Sequence, residues 1–241
     1  MNSRDPVVHK LSHPDFPSAT EYFLPHPKLP TDVMDELHPW MQTVVTSDSR
    51  QIRSLLVDRW ASIQSPELIA LRDQILGYEA VCIVVRGKQV WLDLSSGVEV
   101  DTVGSSAYVA PPVDRVDMEK RLAQHGIQAG SLFHEFMCNF AGLAEDFYTE
   151  GNFIDLSDNW DTLTEEWRED IENFDDWKGS LFIYIARNAD VLLLHSNGSV
   201  GWFKYAEGRI TRTFESFSEF IEFYVNYRGR PPQPLDSYGP D

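Results

Sequence analysis

The chain has 241 residues, 42% of them hydrophobic and 12% aromatic, enough apolar surface for one large folded body or two small ones. Its formal net charge of −18 argues against nucleic acid or an anionic membrane as a direct partner, since a phosphate-binding surface needs clustered Lys and Arg; a basic protein is the natural complement. Cys82 and Cys138 form no metal spacing and are expected as buried thiols in a reducing compartment; with no long apolar run and no signal-peptide core, the expectation is a soluble cytoplasmic protein.

Residues 1–30 hold six of the 14 prolines, which predicts an extended or partly disordered arm. Residues 31–110 follow as an N-terminal α+β region. Val33, Met34, Leu37, Trp40, Met41 and Val44 recur at helical spacing, as do Ile52, Leu55, Leu56, Trp60 and Ile63. A third helix is bracketed by Ser65-Pro66 and Gly77. The period then changes to that of strands, three of them, joined at Gly87-Lys88 and Ser95-Ser96-Gly97.

Pro111-Pro112 separates this from a second region, 113–227. One helix is predicted over Asp114–His125. Another starts at Ser131 as N-cap and carries Leu132, Phe133, Phe136, Met137 and Phe140 on one face. Three apolar strands are predicted across Leu181–Tyr205. A closing helix begins at Ser216 and Glu219, which have capping-box spacing, and the tail 228–241 is again proline-rich. The stretch Val81–Val100 aligns without gaps on Phe182–Gly201, sharing Arg86/Arg187, Val90/Val191, Leu92/Leu193, Ser95/Ser196 and Gly97/Gly198. Either two meanders with similar turns look alike, or the chain has two related halves. Both readings give an α+β body of antiparallel meander sheets packed on helices.

Between Leu143 and Trp177 stand thirteen acidic residues and one basic, Arg168, so −12 of the total −18 lies in 35 residues. Within it Trp160, Leu163, Trp167, Ile171, Phe174 and Trp177 fall three or four apart, which predicts an amphipathic helix with an aromatic stripe. Thr162 and Glu165 would cap its start, and Lys178-Gly179 its end. On that helix Glu165, Glu169, Glu172 and Asp176 would point to water, while Glu166 and Asp170 would flank the buried stripe. Asp175 and Asp176 would sit at the unfavourable negative end of its dipole, and like charges four apart would repel. The expected partner surface is therefore Asp155, Asp158, Asp161, Glu165, Glu166, Glu169, Asp170, Glu172, Asp175 and Asp176. The bland alternative is a solvated lid over the core.

Residues for catalysis are not assembled by any motif. His9, His13, His26 and His38 lie in or beside the proline-rich arm, His125 and His134 on different helices, and His195 at a hairpin end. Cys138 sits on the apolar side of a helix, "GSVGWF" lacks the features of a phosphate loop, and no catalytic residue, metal set or cofactor is expected. The competing expectation is an enzyme or small-ligand binder with its pocket between the two halves, using His195 or Trp91 and Trp202.

The stretch Met118–Leu143, the strand turn at Asn197-Gly198 and the final helix Ser216–Tyr227 together resemble the SUKH superfamily, which includes a fungal cell-wall-synthesis regulator and many bacterial immunity proteins. The resemblance spans residues 114–227. It implies a binding scaffold without catalytic residues, in bacteria often an acidic antidote to a basic toxin, commonly a nuclease.

Overall fold

Local capping chemistry divides the first half into helices. In the computed structural model, residues 9–11, 20–23, 29, 31–78, 80–86, 89–95, 106–145, 151–156, 158–186 and 189–228 are described. The helix expected across Val33–Val44 is two, α1 (Thr31–Glu36) and α2 (Pro39–Val45), because Pro39 cannot continue a helix and holds His38 extended. His38 becomes the cap of α2, its Nδ1 accepting from Trp40 N at 3.1 Å. Asp48 and Gln51 form a reciprocal capping box for α3 (Ser49–Arg59), and Pro66 starts α4 (Pro66–Leu76). Asp114 caps α5 (Arg115–Gln124) and Ser131 caps α6 (Leu132–Phe140), each side chain accepting from the backbone N–H three residues on. One short helix, α7 (Phe174–Trp177), and the closing α8 (Phe217–Arg228) follow.

The strands are β1 (His9–Leu11), β2 (Thr20–Phe23), β3 (Ala80–Arg86), β4 (Gln89–Ser95), β5 (Ser106–Val109), β6 (Ala144–Glu145), β7 (Gly151–Phe153), β8 (Leu181–Ile185), β9 (Val191–Leu194), β10 (Val200–Lys204) and β11 (Arg209–Phe214). They form one antiparallel sheet whose order follows the chain from β1 to β11. Two strands of the proline-rich arm therefore extend the sheet beside β3. The strand expected after Gly97 and the tail from 229 lie outside the described residues.

The two sheet faces are covered differently. On one, Ile83, Leu92, Leu94, Val109, Phe153, Leu181, Leu192, Leu194 and Val200 pack with buried residues of α1 to α6 and α8 in one continuous core. On the other, Phe182, Val191, Leu193, Phe203 and Ile210 meet Leu163, Ile171, Phe174 and Trp177 from the acidic segment. An irregularity in β8 between Phe182 and Tyr184 lets Ile183 stay buried beside both. Gly151, at φ 135°, lets β7 approach β8 so closely that an added Cβ would stand 2.3 Å from Ile185 O.

Polar ties join residues far apart in the chain. Arg53 donates to Leu76 O (2.7 Å) and Tyr78 O at the end of α4; Arg59 donates to Ala110 O (2.7 Å) and to Asn139 O (3.2 Å) at the end of α6. A cation at those carbonyls complements the helix C-terminus. Glu135 of α6 accepts from Gln64 N, Ser65 N and Ser65 Oγ, so it binds the N-terminus of α4 from across the core.

The internal echo does not survive inspection of the faces. It equates Val90 with Val191 and Leu92 with Leu193, yet the first of each pair lies in the main core and the second in the core on the opposite face. Along the second strand of each hairpin the pairing differs from it by one residue: Leu94 opposes Val81 as Leu194 opposes Leu181, and Leu92 opposes Ile83 as Leu192 opposes Tyr184, whereas the echo equates Leu94 with His195 and Leu92 with Leu193. Because strand side chains alternate, a one-residue offset exchanges the two faces.

Candidate functional site

The acidic segment is not the helix its periodicity predicts. Thr162 forms a bridge with Leu181, Leu163 N donates to Ser180 O (2.8 Å), Gly179 N to Leu163 O (2.8 Å) and Phe182 N to Asp161 O (3.1 Å). The two ends of the segment therefore meet. A helix from Leu163 to Gly179 would hold them about 24 Å apart at 1.5 Å per residue. Instead the chain makes a 3₁₀ turn at Glu165–Trp167, further turns, and the single helical turn α7, which Lys178 and Gly179 end. Thr162 caps nothing; Thr164 precedes the 3₁₀ turn without a side-chain cap.

The apolar stripe is nevertheless buried. Trp160, Leu163, Ile171, Phe174 and Trp177 are all in cores, and half-buried Trp167 lies 5.6 Å from the Phe182 ring, centroid to centroid. The segment is a flap: it puts its apolar residues from Leu163 to Trp177 on the second face of the sheet, with Trp160 in the main core, and its exposed charges in water. Glu172 N donates to Gly208 O (2.9 Å), and Asn173 Oδ1 accepts from Ile210 N (3.3 Å), tying the flap to the start of the edge strand β11.

Eight of the ten predicted partner residues are exposed: Asp161, Glu165, Glu166, Glu169, Asp170, Glu172, Asp175 and Asp176. Glu166 and Asp170 are thus open, not beside a buried stripe. Asp175 and Asp176 stand in the first turn of α7, so the expected clash with a helix C-terminus does not arise. Asp155 and Asp158 are half-buried and structural: Asp158 Oδ2 accepts from Asp155 N (2.8 Å), and Asp155 O accepts from Trp160 Nε1 (2.7 Å). Burial pushes the Asp158 carboxyl up, and the charge of Asp155 adds to it, against the hydrogen bond.

Two of the exposed acids are also neutralised locally. Glu165 takes both Arg168 (2.6 Å) and Lys178, and Arg168 reaches on to Asp175 (2.8 Å). Hydrogen bonds from Arg168 and Lys178 pull Glu165 down to about 2, and that from Arg168 lowers Asp175. The role of Lys178 carries no local sequence signal, since thirteen positions separate it from Glu165. Asp161, Glu166, Glu169, Asp170, Glu172 and Asp176 have no ion-pair partner among the described residues. The surface available to a cation is this smaller set.

The residues considered for a pocket do not converge. Trp91 packs with Tyr108 and Ala144 on the flap side of the sheet, whereas Trp202 packs on the helix side, 6.1 Å from Phe223. His195 Nδ1 accepts from Asn197 N (3.2 Å) within its own turn. His134 is buried, with Nε2 4.0 Å from Glu119, and the ring of His125 lies 5.4 Å from Trp160. Burial, with the charge of Arg121, lowers His125. Cys138 is half-buried rather than fully enclosed, and burial pushes its thiol up, away from the thiolate. Among the described residues no three His, Cys, Asp or Glu are arranged to hold a metal, and no helix is long and apolar enough to cross a membrane.

Comparison of the chain with protein families, curated proteins and solved structures finds no match.

Proposed function

We propose that this chain is a protein-binding module that docks a basic partner protein on its acidic flap and works without catalysis. The observation that carries this is the set of six exposed carboxylates, Asp161, Glu166, Glu169, Asp170, Glu172 and Asp176, without an ion-pair partner among the described residues, on a segment anchored by its own core. A field of one sign on an anchored surface speeds encounter with an oppositely charged protein and makes binding salt-sensitive. The resemblance to the SUKH superfamily supports the same reading and narrows it to an immunity-type antidote for a basic toxin, a nuclease among the candidates, or an adaptor for a basic partner.

The test is capture from a lysate of its own cell at low ionic strength, and co-expression with a toxin encoded beside it, using wild type and the Glu166→Lys/Glu169→Lys/Glu172→Lys variant. The expected result is a basic partner bound by wild type, released by salt, and lost by the variant through slower association. Capture of acidic partners alone, or binding indifferent to salt and to the triple change, would refute the proposal.

A further inference from the structure

Two of the four large apolar side chains that stand exposed among the described residues, Ile185 (49%) and Tyr205 (58%), lie at the same end of the sheet as the free acids Asp170 and Glu172. Ile185 opposes Val191, Val191 opposes Phe203, and Tyr205 follows Phe203 by two residues. Two strand spacings across and two residues along thus separate the exposed pair, roughly 12 Å. Val191 and Phe203 between them are buried under the flap, so Ile185 marks where the flap's cover stops.

Tyr205 is held rather than loose. Its backbone N–H donates to Oδ1 of Asp190 (3.0 Å), a carboxylate only 5% exposed, and the turn it opens closes with Gly208 N on Tyr205 O at 3.2 Å. The same turn receives the flap: Gly208 O accepts from Glu172 N, and Asp170 O lies 3.2 Å from where a Cβ on Gly208 would be. An exposed aromatic, an exposed branched aliphatic and Glu172 are therefore fixed to one another by hydrogen bonds of the sheet and its turns, with Asp170 packed against Gly208 beside them.

We infer that this end of the sheet is the contact centre of the flap surface, and that its occupant is a basic protein segment carrying one aromatic or branched aliphatic side chain between lysines or arginines. The inference rests on the proposed function and deepens it. Acids alone would steer a partner without choosing among basic ones; an apolar anchor rimmed by charge is the arrangement that adds residence and selection. A tyrosine whose backbone is already fixed loses little freedom on contact.

The test uses the full chain and two peptides, Lys-Lys-Trp-Lys-Lys and Lys-Lys-Gly-Lys-Lys, titrated while amide shifts are followed by NMR. Both peptides should perturb amides of residues 161–176 at low salt. Only the tryptophan peptide should perturb residues 185, 189–191 and 204–208, and it should bind about fivefold more tightly. Ile185→Ser and Tyr205→Ser, exposed changes whose folding is checked by the melting temperature, should each reduce that preference and leave the glycine peptide unaffected. Equal binding of the two peptides with shifts confined to the flap, or a preference that survives both substitutions, would overturn this inference and leave the proposed function standing. No shifts with either peptide would overturn both.

Discussion

Gly201 offers the sharpest test of how the flap is held. It sits in β10 opposite Leu193 and Thr213, and a Cβ placed on it would lie 2.7–2.9 Å from three atoms of the Trp177 indole. Trp177 is 6% exposed and belongs to the second core, so the missing side chain of Gly201 is the seat of the indole. Gly201→Ala must push the ring outward by several tenths of an ångström in a packed site. Overpacking of this kind costs about 1–3 kcal/mol. Loss of the strand glycine would by itself return up to ~1 kcal/mol, so the net expectation is a destabilisation of roughly 1–2 kcal/mol. Urea unfolding followed by circular dichroism measures the total, and hydrogen exchange locates it: amides of the flap and β10 should lose protection before those of α4 and α6. In a Trp177→Ala background the same substitution should cost nothing or stabilise. An equal cost in both backgrounds, or no cost in wild type, would refute the packing argument.

Three further outcomes follow from the geometry. Glu135→Gln should cost about 1–2 kcal/mol at pH 7, because hydrogen bonds to an ionised carboxylate are the stronger kind. Burial raises the Glu135 carboxyl, but the bonds from Gln64 and Ser65 outweigh it and hold it below the usual range. Its stabilisation is therefore complete above the unfolded carboxylate pKa and lost as pH falls through the lower folded value, so wild type and variant should converge in melting temperature in acid. Arg59→Met should cost about 1–3 kcal/mol by leaving Ala110 O without the guanidinium and Asn139 O with the Trp60 indole N–H alone; burial lowers this guanidinium to about 9, still a cation at neutral pH, and Arg59→Lys should recover only part of the loss in a urea melt. Arg168→Ala, at an exposed pair, should leave the melting temperature unchanged while freeing Asp175 and leaving Glu165 to Lys178 alone, so that binding to a basic partner becomes more salt-dependent; a large fall in melting temperature would contradict that reading.

Capping residues and apolar period act within a turn or two, and what depends on them alone was readable in the chain: α3 to α6 and α8, with Ser65, Ser131 and Ser216 at or beside the starts of α4, α6 and α8, and the hairpins β3–β4 and β8–β9. The stripe from Trp160 to Trp177 correctly marked which flap residues are buried, but not their backbone, because spacings of three and four also suit a chain of short turns. Helix was excluded by a long-range fact, the pairing of Leu163 with Ser180 and Gly179, which brings both ends of the segment together. The same distinction explains β11, whose irregular pairing with β10 leaves Ile210 and Phe214 buried around three exposed residues and so breaks the alternation. For the candidate site, the concentration of acid was visible in composition. Which acids are free was decided only in three dimensions, because charge is neutralised by whatever the fold brings within a few ångströms, and it brought Lys178 to Glu165 and Arg168 to Asp175.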